Sequence, residues 1–301
     1  MLYLSYYNLK ENPFADTANP KYLWLGEGQS EAIAILSYGI EKGGGITVLT
    51  GDVGSGKTVL GKYLAGRLKN KFKIAKIDDS DIESLEFLYY LADSLNLPNH
   101  FEDKRSFFKY VDGEYSKTQK RMLLIIDEAH RITKSLLNDL HLMAKIKRDD
   151  KQLINIVLVG QNPIIELVNE TKKNGKKQKD SLVCHLRSLT KRETCEYIKH
   201  RLKIAGTERK LFASGAIGKI FRYSGGIPRM INTICDHALM IGYSTDLKKI
   251  RTSVIKECIE DLKIQNNVID NWQRLKKETS GGKILKQAYQ RTKQKLFTSA
   301  S

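Results

Sequence analysis

Short apolar segments alternate with amphipathic segments through the first half of the chain. The apolar segments have the length and β-branched content typical of strands, and they cover residues 46–50, 72–77, 122–126 and 154–159. Apolar residues recur at helical spacing in the amphipathic segments, which cover residues 31–41, 59–68, 82–95 and 134–147. Strands that alternate with helices usually form a parallel sheet covered on both faces. The pattern therefore predicts an α/β fold.

The pattern changes after Gln161, and only helical periodicity is found from residue 191 onward. The predicted helices cover residues 193–205, 214–224, 230–243 and 252–264. Before them, residues 171–180 are lysine-rich and predict a loop or a frayed helix end. We divide the chain into a lead-in and helix (1–45), an α/β core (46–190), a helical lid (191–264) and a basic helical or flexible tail (265–301).

Composition narrows the class of protein. Of the 301 residues, 41% are hydrophobic, so the chain can bury a core, and this excludes wholesale disorder. Fifty-one Lys and Arg against 34 Asp and Glu give a net charge of +17, which favours an anionic partner such as nucleic acid, an acidic membrane surface or phosphates. Four cysteines lack the spacing of a disulfide scaffold or zinc site, so we expect buried thiols in a reducing compartment. They are Cys184, Cys195, Cys235 and Cys258.

No targeting or membrane-spanning signal is expected. The opening MLYLSYYNLKENPF has neither a basic start nor a continuous apolar run. The longest apolar runs are too short to cross a bilayer. The prediction is a cytoplasmic protein that is either free, peripheral to a membrane or bound to DNA.

The first predicted strand runs directly into a segment that matches the pattern G-x-x-x-x-G-K-[ST] in full. Glycines let successive backbone N–H groups curl around a polyphosphate, and the following helix adds its positive end. Lys57 is predicted to reach the β- and γ-phosphates, and Thr58 to place its hydroxyl on Mg²⁺. The predicted nucleotide-binding residues here are Gly51, Asp52, Val53, Gly54, Ser55, Gly56, Lys57, Thr58 and Val59.

Two further apolar strands end in polar side chains. Asp127 and Glu128 follow strand 122–126, at the edge where parallel sheets bind ligands. We expect this strand to neighbour the one that carries the glycine-rich segment. Asp127 would then hold Mg²⁺ through water, and Glu128 would polarise a water in line with the γ-phosphate. Gln161 follows strand 154–159 and is either a γ-phosphate sensor or a simple strand cap.

A turn and helix start near residue 225 supply one more candidate. Gly225 and Gly226 permit a tight turn, and Pro228 suits a first helical turn. Arg229 projects from the new helix. It would reach the phosphates if the helical lid folds over the nucleotide, and otherwise it is a surface arginine.

The segments GDVGSGKT, LLIIDEAH, INIVLVGQNP and SGGIPRMINTICDHAL together resemble AAA+ ATPases of the ExeA/GspA secretion-ATPase group. The opening YNLKENPFADTANPKYLWLGEG and the segment CHLRSLTKRETCEYIKHRLKIAG extend this resemblance to about residues 6–245. It implies a P-loop NTPase core with a helical lid, binding of ATP and Mg²⁺, slow hydrolysis, and assembly into rings or filaments with shared sites. It also implies Tyr22 and Leu23 as neighbours of adenine.

The chain departs from that group at two positions that concern chemistry. Lys179 stands where the group has an arginine, and if that arginine acts on a neighbouring subunit, lysine supplies a point charge instead of a bidentate fork. Arg187 is the nearby alternative, and the choice stays open. His130 stands where the group usually has glutamine, so residues 127–130 read DEAH, a motif of helicases. The sequence lacks the other helicase motifs, so we do not interpret it as a helicase. His130 is interpreted as a polar neighbour of the site, with coupling to the γ-phosphate as the alternative.

Three functions remain open at this point. The first is an assembly ATPase for secretion or envelope proteins. The second is an ATP-dependent DNA-binding regulator similar to the TnsC and TniB transposition proteins, which have related cores. Five lysines in residues 171–179 and nine basic against two acidic residues in residues 263–301 favour DNA or an anionic lipid surface, or are solvated faces only. The third is a scaffold that binds nucleotide without hydrolysing it.

Overall fold

The computed structural model describes residues 3–43, 45–78, 84–97, 100–173 and 182–263. The strands are β1 (Ile46–Gly51), β2 (Phe72–Ile77), β3 (Arg121–Ile126), β4 (Lys147–Arg148), β5 (Lys151–Gln152), β6 (Ile154–Val159) and β7 (Leu182–Leu186). Strands β4 and β5 form a small antiparallel hairpin, and the others form one parallel sheet in the order β2-β3-β6-β1-β7. The predicted α/β fold is confirmed.

Helices cover both faces of this sheet and continue beyond it. They are α1 (Tyr3–Tyr6), α2 (Glu27–Glu41), α3 (Lys57–Leu68), α4 (Ser84–Ser94), α5 (Lys104–Thr118), α6 (Lys134–Met143), α7 (Pro163–Lys173), α8 (Lys191–Ile204), α9 (Ser214–Ser224), α10 (Pro228–Ser244) and α11 (residues 252–263). Within the described residues, no helix combines the length and the apolar character that a membrane crossing requires.

Strand β6 occupies the centre of the sheet between β1 and β3. Ile46 of β1 pairs with Ile156, and Ile126 of β3 pairs with Leu158. The expectation that the strand before Asp127 neighbours the glycine-rich segment is therefore wrong. Every residue of β6 is buried, as a strand covered on both faces and both edges requires, and the chain returns to the centre after building β2 and β3. Strand order follows from this packing, which periodicity does not encode.

Side chains alternate between two apolar layers on opposite faces of the sheet. Leu124 and Ile126 of β3 enter the layer formed with α4, α5, α6 and α7. Leu123 and Ile125 of the same strand enter the layer formed with α2 and α3. Both layers hold the strands rigidly, so the loops that follow β1, β3 and β6 start from fixed positions at one edge.

The helical unit α8–α11 has its own core, and the N-terminal lead-in belongs to that core. Tyr3, Tyr7 and Phe14 are buried among the apolar side chains of these helices. The rings of Phe14 and Phe212 pack edge to face, with 6.1 Å between their centroids. The lead-in is thus anchored to the helical unit before the chain enters the α/β core, which places residues 12–24 between the two.

Several elements differ from the sequence-based prediction. Helices α5 and α7 and strand β7 were not predicted, although Asp103 and Ser106 form a capping box that marks the start of α5. Helix α6 ends at Met143, short of the predicted residue 147, because Lys147 pairs in the β4–β5 hairpin. The predicted lysine-rich segment from residue 174 onward and the tail over 265–301 lie outside the described residues.

The cysteines agree with the prediction in three cases out of four. Cys184, Cys235 and Cys258 are buried free thiols, and burial raises the pKa of each. Cys195 is free but only half-buried, because it lies at the margin of the buried face of α8. The buried thiols are therefore packing groups.

Candidate functional site

The glycine-rich loop between β1 and α3 needs glycine at two positions. Gly54 and Gly56 have φ angles of 78° and 98°, in the left-handed region that disfavours side chains. Gly56 immediately precedes α3, so the unpaired N–H groups of the first helical turn face the loop. Loop and helix end together offer backbone donors to one concave space, the arrangement that binds anions.

Lys57 is held against its own loop. Its Nζ donates hydrogen bonds to the carbonyl oxygens of Gly51 (2.8 Å) and Asp52 (2.7 Å). Burial lowers the pKa of Lys57, and the carboxylates of Glu128, Asp127 and Asp52 oppose that shift. Lys57 and the acidic pair therefore share one electrostatic environment, although their strands are not adjacent.

Asp127 and Glu128 are positioned by a strained turn at the end of β3. Asp127 is 6% exposed, and its Oδ1 accepts a hydrogen bond from the backbone N–H of Glu128 (2.9 Å). Glu128 has a φ of 49°, which is uncommon for a residue with a side chain. Such strain persists where the surrounding structure imposes it, often at functional sites. Here it leaves Asp127 inside the protein and directs Glu128 to the cleft.

Gln161 lies beside the turn that follows β3. Its Nε2 is 3.1 Å from His130 Nε2, and His130 Nδ1 is 3.4 Å from Glu128 Oε2. Gly160 allows this approach, since a Cβ atom there would lie 2.9 Å from the backbone nitrogen of His130. Three side chains at the ends of two neighbouring strands therefore form a row in space, in the order Gln161, His130, Glu128.

Arg229 joins the helical unit to the glycine-rich loop. Its backbone N–H donates to the carbonyl oxygen of Gly54 (3.2 Å), and a Cβ at Gly54 would lie 2.6 Å from its Cβ. Its guanidinium forms an ion pair with Asp16 of the lead-in at 2.8 Å. Both side chains of that pair are more than half exposed. Arg229 therefore lies at the glycine-rich loop, with a carboxylate as its partner.

A cleft of about 390 Å³ collects most of the predicted site residues. Those that line it are Tyr22, Leu23, Val53, Gly54, Ser55, Gly56, Lys57, Thr58, Val59, Glu128, Gln161 and Arg229. Gly51, Asp52 and Asp127 are not part of its lining. Cleft residues that the sequence reasoning missed are Asp16, Thr17, Ala18, Asn19, Trp24, Gln29, Leu186, Tyr197, Arg201, Pro228 and Asn232. They come from the lead-in, β7, α2, α8 and α10, and no local motif marks them.

Some buried polar side-chain atoms that line this cleft have no hydrogen-bond partner within the described residues. Ser55 Oγ and Gln29 Oε1 are buried and have no hydrogen-bond partner within the described part of the chain. Buried polar atoms are normally satisfied, so each such atom needs an explanation. Tyr22 is also buried, which raises its pKa to about 12, with Glu11 adding to the shift. A polar ligand in the cleft would supply partners.

Arg201 is a buried cation on the cleft wall, with 4% of its surface exposed. It donates to the carbonyl oxygens of Pro13 and Ala15 and to the hydroxyl of Tyr197 (2.8 Å). Its Cζ lies 4.6 Å from the centroid of the Tyr22 ring. Among the described residues, no carboxylate forms an ion pair with it. Arg201 thus ties the lead-in to α8 and adds positive charge beside the cleft.

Lys179 and Arg187 are the two candidates for a cation that acts on a neighbouring subunit. Lys179 lies outside the described residues. Arg187 follows β7, and its guanidinium forms a bidentate contact with Glu193 at 2.8 and 3.0 Å. Glu27 is 3.5 Å away. Arg187 is therefore engaged within its own chain, and reaching a neighbouring subunit would require breaking those contacts.

Comparison with known proteins agrees with this geometry. Residues 40–168 match a family model described as an AAA domain. Over 256 residues the chain is 32% identical to general secretion pathway protein A of Aeromonas hydrophila, covering 83% of this chain and 46% of that protein. The chain thus spans about half the length of this curated relative. The predicted resemblance to the ExeA/GspA group is confirmed.

Solved structures share the fold. The ORC2 protein of Aeropyrum pernix, solved as ADPNP–ADP complexes, has a TM-score of 0.63 and 17% identity, covering 83% of this chain and 71% of that one. Drosophila ORC bound to DNA has a TM-score of 0.62 and 15% identity, covering 83% and 64%. At these identities the likeness concerns the fold alone, and it confirms the predicted parallel-sheet core and helical C-terminal region.

Proposed function

We propose that this chain, in which residues 40–168 match an AAA domain and which is similar to general secretion pathway protein A, binds and hydrolyses ATP with Mg²⁺ to drive nucleotide-dependent assembly. One observation carries the proposal: the glycine-rich loop, Glu128, Gln161 and Arg229 converge on a single cleft. These groups come from three strand ends and from the helical unit. Positioning and charge stabilisation are what phosphoryl transfer requires of a protein.

The residues present fit a magnesium–triphosphate unit. Backbone N–H groups of the loop would hold the phosphates, and Lys57 would exchange the carbonyls of Gly51 and Asp52 for phosphate oxygens. The Thr58 hydroxyl and Asp127 would hold Mg²⁺, since both are hard oxygen donors. When bound, Mg²⁺ neutralises charge on the phosphates.

Hydrolysis then depends on two side chains at the strand ends. Glu128 would polarise the attacking water, because its carboxylate faces the cleft beside Lys57. Gln161 would orient that water or sense the γ-phosphate from the central strand. Arg229 would leave Asp16 for the phosphates, which couples the helical unit to nucleotide state. Tyr22 and Leu23, which line the same cleft, would contact adenine.

The proposal also covers the oligomer that the protein forms and the partner on which it acts. By similarity to general secretion pathway protein A, we propose a homo-oligomer, as a ring or filament, that acts on a secretion or envelope protein. The alternative is an ATP-dependent DNA-binding regulator, and the observation that favours it is the net charge of +17. Both alternatives place the protein in the cytoplasm, at a membrane periphery or on DNA.

Nucleotide chemistry is tested with the purified wild-type protein, two site variants and one control variant. Lys57→Ala should abolish both ATP binding and phosphate release. Glu128→Gln should retain ATP binding and lose hydrolysis by about a hundredfold or more. Lys69→Ala, which removes an exposed lysine at the other end of α3, is the control and should behave like the wild type. Wild-type turnover in Glu128→Gln would refute the base assignment.

A second experiment separates the alternatives. Fluorescence anisotropy with random-sequence duplex DNA is measured with and without a non-hydrolysable ATP analogue across a salt series. ATP-dependent binding with a steep salt slope supports the DNA regulator, because released counterions set that slope. Absence of binding, together with stimulation of phosphate release by an envelope protein, supports the secretion assembly. Phosphate release at several protein concentrations tests the non-hydrolysing scaffold and reports on assembly.

A further inference from the structure

The His130 side chain contacts both Gln161 and Glu128. Its Nε2 is 3.1 Å from Gln161 Nε2, and its Nδ1 is 3.4 Å from Glu128 Oε2. The side chain is 17% exposed, and Nδ1 is buried and has no hydrogen-bond partner within the described residues, so its 3.4 Å contact with Glu128 is electrostatic. A half-buried imidazole between two polar groups has a restricted orientation.

Hydrogen-bond chemistry fixes the direction of these contacts. The Gln161 amide nitrogen carries two N–H donors, so the His130 Nε2 that faces it must accept. A neutral imidazole that accepts at Nε2 carries its proton on Nδ1. That proton is on the side of the ring that lies nearest the Glu128 carboxylate, whose Oε2 is 3.4 Å from Nδ1. If the Gln161 amide were turned over, Nε2 would carry the proton and the Nδ1 lone pair would face a carboxylate, which is unfavourable. One tautomer therefore satisfies both neighbours.

The backbone keeps the three groups together. Gly160 brings the end of β6 against the turn at residues 129–131, where a Cβ atom would lie 2.9 Å from the nitrogen of His130. Glu128 is held in a left-handed conformation at the start of the same turn. A movement of Gln161 is therefore passed to His130, and from His130 to the carboxylate of Glu128.

We propose that His130 is a positioning residue that couples Gln161 to the orientation of Glu128. This inference rests on the proposed ATP hydrolysis and extends it. Contact of Gln161 with the γ-phosphate would set the imidazole, and the imidazole would set the carboxylate that polarises water. Loss of the outer-shell partners that orient metal-bound histidines typically costs about 10–100-fold in affinity or activity, and we expect the lower end of that range for His130.

Kinetics of a double-mutant cycle test the coupling. His130→Ala and Gln161→Ala should each lower kcat by about tenfold, with the Kd for ATP changed less than about twofold. The double variant should be no slower than the slower single variant, because both act through one chain of contacts. His130→Gln should recover most of kcat, since its amide has both a donor and an acceptor. Multiplying effects, or an unchanged kcat in His130→Ala, would overturn the proposal.

Two further measurements keep the outcome interpretable. His237→Ala is the matched control, because His237 Nε2 lies 3.4 Å from Asp261 Oδ2 in the helical unit; its kcat should stay at the wild-type value. Nitrogen-15 NMR of the unliganded protein should find the Nδ1–H tautomer at His130 and lose that preference in Gln161→Leu. An Nε2–H tautomer in the wild type refutes the contact chain. Absence of any ATP turnover refutes the proposed function instead, and the tautomer readout distinguishes the two.

Discussion

Replacement of Glu193 by glutamine is expected to destabilise the protein by about 2 kcal/mol at pH 7. Glu193 is 3% exposed, accepts two hydrogen bonds from the Arg187 guanidinium, and caps the first turn of α8 through the backbone N–H of Thr190 (2.8 Å). These contacts, with that of Arg187 the largest, hold the pKa of Glu193 at about 2, below its ordinary 4.5. The pair joins the end of β7 to α8, where the α/β core meets the helical unit.

The magnitude follows from that pKa. Each unit of depression corresponds to about 1.4 kcal/mol, which gives about 3 kcal/mol for the full shift. Arg187 is 41% exposed and screened by water, and glutamine keeps the bond from Thr190, so about 2 kcal/mol is the better expectation. For a chain of this size the melting temperature should fall by about 4–8 °C.

The effect of pH provides the sharper test. A carboxylate with a depressed pKa in the folded state stabilises above its unfolded pKa, and that contribution is lost as the pH falls toward the folded value. The difference in the free energy of unfolding between wild type and Glu193→Gln should therefore have its full value at pH 7. It should shrink as the pH falls from 4.5 to about 2. Urea denaturation at pH 7, 5 and 3.5 measures it.

The control for this experiment is Glu196→Gln. Glu196 forms an exposed contact with Arg192 on the same helix at 4.0 Å, and its loss should cost less than about 0.5 kcal/mol. The reasoning would be refuted if both variants lost the same free energy of unfolding at pH 7. It would also be refuted if the destabilisation of Glu193→Gln relative to wild type did not depend on pH.

Three other substitutions test the junction between loop, lead-in and helical unit. Gly226→Ala should cost about 3 kcal/mol in urea denaturation, because φ is +76° and a Cβ would lie 1.9 Å from the Leu189 carbonyl oxygen; a neutral result would contradict that contact. Gly54→Ala should weaken ATP binding by about tenfold or more in calorimetry, since its Cβ would push Arg229 and the helical unit away from the loop; wild-type affinity would contradict the close approach. Asp16→Asn should leave stability within about 1 kcal/mol and tighten ATP binding by up to about fivefold, because it releases the guanidinium of Arg229; weaker binding would indicate that Asp16 itself contacts the nucleotide.

Local chemistry was sufficient to predict the glycine-rich loop between β1 and α3. The segment from Gly51 to Thr58 carries its own requirements, since glycine is needed where φ is positive and the lysine and hydroxyl have fixed spacing from the turn. The acidic pair at Asp127 and Glu128 was predictable for a similar reason, because an apolar strand delivers the next polar residues to one edge of the sheet. In each case the signal lies within a few consecutive residues.

Packing between distant parts of the chain decided the strand order and the contacts between strand ends. The position of β6 between β1 and β3 depends on how three short, mostly apolar strands share two faces of the sheet, and their sequences do not indicate which of them is central. The contact between His130 and Gln161 joins residues 31 positions apart and exists because Gly160 lets two backbones approach. Sequence periodicity reports which face of an element is buried, and it carries no information on which other element covers that face.

The lead-in shows the same division most clearly. The sequence predicted that the lead-in is irregular, but it did not predict its role. Tyr7 and Phe14 complete the core of helices that lie almost two hundred residues later in the chain. Arg201 donates hydrogen bonds to the backbone carbonyls of Pro13 and Ala15. Local sequence determined the groups that can hold a phosphate and the strands that present them. Tertiary structure alone determined the cleft around them, because burial of distant apolar side chains brings its walls together, and such contacts leave no local pattern in either partner.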